Sequence, residues 1–410
     1  MQQSKPCDHK FRRGKRRLPF ECTALVLQGG GALGSYQAGV YHALAEAAIC
    51  PDWVAGVSIG AVNSALIAGN PPKKRVEKLQ EFWEAVSSPP LGPFDPYNRF
   101  FAVKDEFRHR LVNQTRALFI MLLGAPDFFK PRFPPPVLWP SQQPDAVSYY
   151  DVAPLKTTLE RLVDFDRIND GEMRFSVGAV NVRTGNFVYF DNTTHVIGPT
   201  HVIASGSLPP GFPATEVDGE YYWDGGIVSN TPLQWVLDSR PRLDTLAFQI
   251  DLWSARGEIP RDLMEAEVRL KDIQYSSRTR AATDRYKNVQ KLRLAFARLL
   301  NEFPEELRAR DEVKLLEKEA DDKVCNIVQL IYNSKKYEGI VKDYEFSRRT
   351  MEEHWRAGFD DAMGALAHPE VLQLPNRLEG VRIFDFANMG RNWDAAKASG
   401  THQFAKGRSG

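Results

Sequence analysis

Two consecutive stretches of this chain read as strand, tight turn and helix, and that repetition constrains the fold more than any other feature. Residues 23–28 (T-A-L-V-L-Q) form a short apolar run that ends in glycines, as a buried parallel strand does. Residues 35–48 follow at helical spacing, with Val40, Leu44 and Ala48 on one side. Residues 53–57 are a second buried strand, and residues 59–68 (I-G-A-V-N-S-A-L-I-A) follow at once as an apolar helix, stopped by Gly69-Asn70-Pro71-Pro72. Strands buried on both faces need helices on both sides, so the expected fold class is α/β with a parallel sheet.

The rest of the chain adds detail to that plan. Residues 126–144 hold seven prolines interleaved with Phe128, Phe129, Phe133 and Trp139, a density that forbids regular helix or central strand. Residues 175–182 and 186–191 read as a hairpin, and residues 246–252 as another buried strand. After Pro260 the chain is dense in Lys, Arg, Glu and Leu up to Ala367, which predicts a helical region of some 100 residues. The expected divisions are a flexible basic arm (1–20), an α/β body (21–255), a helical C-terminal region (256–370) and a terminal segment with a frayed tail (371–410).

Composition excludes several classes of function. Lys and Arg total 53 against 52 Asp and Glu, a formal net charge of +1, which does not support a global nucleic-acid footprint. The four cysteines (Cys7, Cys22, Cys50, Cys325) make no C-x-x-C pair, which argues against a cysteine-built zinc site or a disulfide scaffold and for reduced thiols in a cytoplasmic setting. The basic run from Lys5 to Arg17 is followed by no apolar stretch of signal-peptide length. The apolar run at residues 117–124 is far short of the roughly 20 residues that span a bilayer. The expectation is a protein without signal peptide or transmembrane segment, cytoplasmic and at most peripheral to a membrane.

Three short segments carry chemistry. Gly29-Gly30-Gly31-Ala32-Leu33-Gly34 directly follows the first strand. It formally fits a dinucleotide fingerprint, but Asp52, at the right spacing for the ribose, precedes its strand and so lies at the wrong end of the sheet. The other reading is a glycine turn at a helix start, whose bare N–H groups face an anion such as an oxyanion. Gly56-Val57-Ser58-Ile59-Gly60 is a G-x-S-x-G at a strand–helix junction, where a sharp turn projects the serine hydroxyl. Tyr222-Trp223-Asp224-Gly225-Gly226 ends a strand with an aspartate and two glycines, which allow close approach of another loop.

In this order and combination, the three segments closely resemble the patatin-like phospholipases, over roughly residues 22–252. The stretch 204–213 (A-S-G-S-L-P-P-G-F-P) also resembles the family segment before its aspartate. One departure is Leu33, where many members have arginine or lysine. The resemblance implies a three-layer α/β/α sheet and a serine acyl hydrolase working through a Ser-Asp dyad. Ser58 would be the nucleophile and Asp224 the base, with Gly29, Gly30, Gly31 and Ala32 forming the oxyanion hole. Gly34, Gly56, Gly60, Gly225 and Gly226 would support the motifs, with no metal and no cofactor. A histidine relay through His354 or His368 is the competing scheme, because Ser…Asp…His order is met by either.

The expected substrate is a lipid ester, a phospholipid or lysophospholipid. A neutral glyceride or a hydroxyacid polyester is the alternative substrate, and a catalytically silent lipid-binding scaffold the alternative class. The apolar stretch 118–139 is expected to cap the site or dip into a lipid surface.

Overall fold

The computed structural model describes residues 18–87, 106–136, 147–276, 279–308 and 310–386. The basic arm up to Arg17, Trp139 and the tail from Asn388 lie outside these residues.

Eleven strands form among the described residues. They are β1 (Cys22–Leu27), β2 (Trp53–Val57), β3 (Lys130–Pro131), β4 (Tyr150–Asp151), β5 (Arg174–Asn181), β6 (Phe187–Asp191), β7 (Thr215–Val217), β8 (Glu220–Asp224), β9 (Thr245–Asp251), β10 (Cys325–Ile331) and β11 (Val381–Asp385). All but the small β3–β4 pair join one sheet in the order β11-β10-β9-β1-β2-β5-β8-β7, with β6 paired to β5. The run from β11 to β5 is parallel, whereas β6, β7 and β8 pair antiparallel. The expected hairpin at residues 175–191 is β5–β6.

β1 shows how the sheet is covered on both sides. Leu25 and Leu27 pack into the larger apolar cluster, with α1 (Gly34–Glu46), α2 (Ile59–Ala68) and α3 (Arg75–Val86). Cys22, Ala24 and Val26 pack into a second cluster, with Leu233, Val236 and Leu237 of the helix Leu233–Asp238. Each fully buried Leu, Val or Phe in these layers contributes about 1.5–3 kcal/mol. The fold is the expected three-layer α/β/α arrangement.

The C-terminal region differs from a purely helical expectation. It contains long helices, Thr279–Glu302 and Arg348–Leu366, but also the strand Cys325–Ile331, which extends the main sheet beside β9. The segment C-N-I-V-Q-L-I is a β-branched apolar run set within charged sequence, and burial on both faces selects it as strand. The helix Arg348–Leu366 crosses α1 at Gly39 and Gly358. A Cβ on Gly39 would collide with the Trp355 carbonyl, and one on Gly358 with the Tyr36 carbonyl. Tyr36 also donates to Asp361 at 2.7 Å across this crossing.

Gly358→Ala is therefore expected to destabilise the protein by about 1–3 kcal/mol through overpacking. A lowered denaturant midpoint at unchanged slope checks this, and an unchanged midpoint contradicts the close crossing.

Candidate active site

The register along β5 brings two distant segments together. Val57, the last residue of β2, lies opposite Gly178, and Asp224, the last residue of β8, lies opposite Ala179 on the same edge. Ser58 follows Val57 directly. It sits at φ 56° and ψ −124°, a conformation that costs a non-glycine residue about 1–3 kcal/mol and aims the side chain out of the turn. The turn is tight enough that a Cβ on Gly56 would strike the Gly60 carbonyl.

The segment 205–207 holds both residues by their backbones. The Ser58 N–H donates to the Ser205 carbonyl and hydroxyl, each at 3.1 Å. The Asp224 N–H donates to the Ser207 carbonyl at 3.0 Å, while the Ser205 hydroxyl donates to the Gly178 carbonyl at 2.6 Å.

Asp224 is only 2% exposed. Burial pushes its carboxyl up to about 6, opposed by hydrogen bonds from the Ser58 side chain and from the Gly226 N–H at 2.7 Å. Ser58 itself is partly exposed. The arrangement joins an accessible hydroxyl to a carboxylate whose basicity is raised toward neutrality.

The glycine turn closes over this pair. A Cβ on Gly29 would lie 3.0 Å from that of Ser58. Gly31 has φ +55°, which glycine adopts without strain. The four N–H groups are not equivalent. Gly29 donates to the Asn230 side chain at 3.1 Å, and Ala32 donates to the Asp343 carbonyl at 2.7 Å. The Gly30 and Gly31 N–H groups have no such partner among the described residues. Leu33 is fully buried in the main apolar cluster, an environment that a cation would pay heavily to enter.

The remaining candidates fall elsewhere. Asp52 accepts from the Thr23 N–H at 2.9 Å, at the opposite end of the sheet from the glycine turn. His354 is buried beside Glu338 at 3.8 Å, and His368 stands 3.3 Å from Glu370. Phe128 and Phe129 are buried in an aromatic cluster with Phe212 and Phe346, which corrects the expectation that they face lipid. Ser205 falls within the stretch 204–213 named from sequence, whereas Asn230 and Trp253 were given no role there. Asn230 lies in the S-N-T-P run after the aspartate, and its amide donates back to the Gly29 carbonyl at 3.1 Å.

The patatin-like phospholipase family model matches residues 25–237, and a second, described as patatin phospholipase, matches residues 273–378. The first spans more than half the chain, which therefore belongs to the patatin-like phospholipase family. A 63-residue stretch is 51% identical to lysophospholipase nte1 of Aspergillus terreus, covering 15% of this chain and 4% of that protein. A 58-residue stretch is 48% identical to patatin-like phospholipase domain-containing protein 7 of Mus musculus, covering 14% of this chain and again 4% of the relative. The chain thus matches only a small fraction of the length of these relatives. Among solved structures, VipD from Legionella pneumophila aligns at 16% identity over 96% of this chain and 79% of that chain, with a TM-score of 0.36.

The raised carboxyl gives a stability prediction with a definite sign. An unfolded aspartate ionises near about 3.9 and the folded one near 6, so ionisation opposes folding. Stability from this residue is complete below about pH 4 and is lost as pH rises through 6. Asp224→Asn is expected to be more stable than the parent at pH 8, by on the order of 2–3 kcal/mol, and no more stable at pH 4. Denaturant melts at both pH values measure it; an equal effect at both contradicts the raised pKa.

Proposed function

We propose that the protein hydrolyses carboxylic esters of phospholipids or lysophospholipids through a Ser58–Asp224 dyad and an acyl-enzyme. The observation that carries this reading is the buried Asp224 carboxyl, brought by the β5 register to the end of the strand that leads into Ser58, beneath the glycine turn. Ser58 Oγ attacks the ester carbonyl carbon while its proton passes to Asp224. The N–H groups of Gly30 and Gly31 face the developing oxyanion, where one donor is typically worth about 3–4 kcal/mol. The tetrahedral intermediate collapses, the C–O bond to the alcohol breaks, and the leaving oxygen takes the proton from Asp224. Water then gives a proton to Asp224 and attacks the acyl group, releasing the fatty acid and returning the proton to Ser58. Residues 21–255 supply this chemistry, and β10 and β11 extend the sheet beside it. The short likeness to a lysophospholipase supports a glycerophospholipid-type substrate over a polyester.

Substrate in a lipid surface calls for an apolar approach face. On the helix Glu106–Leu123, Leu118 is 51% and Leu122 62% exposed, and Phe133 beyond it is 90% exposed. No described helix is long and apolar enough to cross a membrane. We assign this face to peripheral contact with lipid.

The dyad separates cleanly from a histidine relay. Ser58→Ala and Asp224→Asn should each lower turnover of a soluble aryl ester by at least about a hundredfold, whereas His368→Ala should stay near the parent. Fluorophosphonate should label Ser58 stoichiometrically, and kcat/KM should rise with pH through about 6. A folded His354→Ala or His368→Ala variant as inactive as Asp224→Asn overturns the dyad, and a folded, active Ser58→Ala overturns the whole reading.

For the lipid face, Leu118→Ser, Leu122→Ser and Phe133→Ser combined should weaken vesicle co-sedimentation by about tenfold or more while sparing hydrolysis of the soluble ester. Unchanged co-sedimentation removes this face from the interface.

A further inference from the structure

The C-terminal region touches the glycine turn at two points. The Asp343 carbonyl accepts the Ala32 N–H at 2.7 Å and lies against Gly31 so closely that any Cβ there would collide with it. On the other side, the Tyr275 carbonyl accepts the Asn230 amide at 2.9 Å, and Asn230 in turn bonds both the N–H and the carbonyl of Gly29. One contact comes from the segment after β10, the other from the end of the helix Leu263–Tyr275.

These two segments are fastened to each other by a reciprocal pair of dipeptides. Lys271-Asp272 on the helix meets Lys342-Asp343 on the segment, each lysine facing the other's aspartate. Lys271 Nζ sits 2.6 and 2.7 Å from the two carboxylate oxygens of Asp343. Lys342 Nζ sits 2.6 Å from Asp272 and is only 3% exposed. Beneath them lies buried Trp253, with Lys342 4.8 Å and Lys271 5.8 Å from its ring. The Trp253 indole N–H donates to the Gly29 carbonyl at 2.8 Å. Ion pairs this shielded are screened far less than exposed ones, and breaking one leaves a charge uncompensated.

We infer that Lys271 and Asp343 are positioning residues for hydrolysis: through the Asp343 backbone they hold the glycine turn so that the Gly30 and Gly31 N–H groups face the oxyanion. The argument is geometric. Gly30 and Gly31 lie between two anchored neighbours, Gly29 through Asn230 and Trp253, and Ala32 through Asp343. An oxyanion donor acts over a few tenths of an ångström, so a turn released at Ala32 loses aim before the fold is lost. The inference rests on the roles proposed above for Ser58 and the glycine turn. It gives residues 256–370 a task in the chemistry, not in lipid selection.

The test uses the full chain and a soluble aryl ester. Lys271→Met and Asp343→Asn should each lower kcat by about tenfold or more, with KM within about twofold of the parent, and should slow fluorophosphonate labelling of Ser58 in proportion. The paired exchange Lys271→Asp with Asp343→Lys restores the attraction and should recover kcat well above either single variant. Active-site titration corrects each rate for the folded fraction. Folded single variants with parental kcat, a change confined to KM, or a paired exchange that recovers stability but no turnover each overturn the inference. Ser58→Ala, measured alongside, separates the two ideas. If it is inactive while the Lys271 and Asp343 variants are parental, the positioning role alone fails; if it is active, the nucleophile assignment fails first.

Discussion

The site depends on one length of backbone, residues 178–179 of β5. Val57 pairs at Gly178 and Asp224 at Ala179, so two strands of opposite direction end within one residue of each other on the same edge. Strand register is quantised: a slip by one residue would turn every side chain of β8 to the other face. The antiparallel β8 is what allows this meeting. A parallel strand paired along residues 179–181 would set its first residue, not its last, beside the end of β2. Glycines at 178 and 225 keep side chains out of the junction, where a Cβ on Gly225 would lie 2.5 Å from the Gly178 carbonyl.

Around this junction, the fold spends main-chain hydrogen bonds where charged side chains are often found. Ser58, Asp224, Gly29 and Ala32 are all held through their own N–H groups, by Ser205, Ser207, Asn230 and Asp343. Among the described residues these partners are neutral, and the largest influence on the Asp224 carboxyl is simple burial. That is how a carboxylate becomes basic enough to accept a proton near neutrality. Buried Leu33 likewise brings no charge to the glycine turn.

The three motifs of the candidate site were legible because each is local. A glycine turn, a G-x-S-x-G and a D-G-G each follow a strand within a few residues, and β2 and α2 fall at the expected limits, Trp53–Val57 and Ile59–Ala68. What escaped was non-local. Asp343 acts on Ala32 through a backbone carbonyl from more than 300 residues away, and a carbonyl leaves no trace in residue type. Strand β10 was hidden by its surroundings: seven residues of C-N-I-V-Q-L-I amid charged helices shift a regional average very little. Phe128 and Phe129 misled for a different reason. Proline excludes regular structure but says nothing about burial, and here the loop tucks both rings beside Phe346. Composition cannot distinguish an aromatic aimed at lipid from one aimed at the core.

Strand β9 gives the sheet an uncommon distribution of risk. All seven of its residues are buried, between β1 and the later-arriving β10. During synthesis, residues up to 255 emerge with all three motifs present while the far side of β9 still lacks its neighbour. That exposed row of N–H and carbonyl groups on an apolar strand is a template for pairing with another chain. The interval between translation of β9 and of β10 is thus one in which the chain is open to aggregation. Excising the motif-bearing part as a minimal enzyme would make that period permanent.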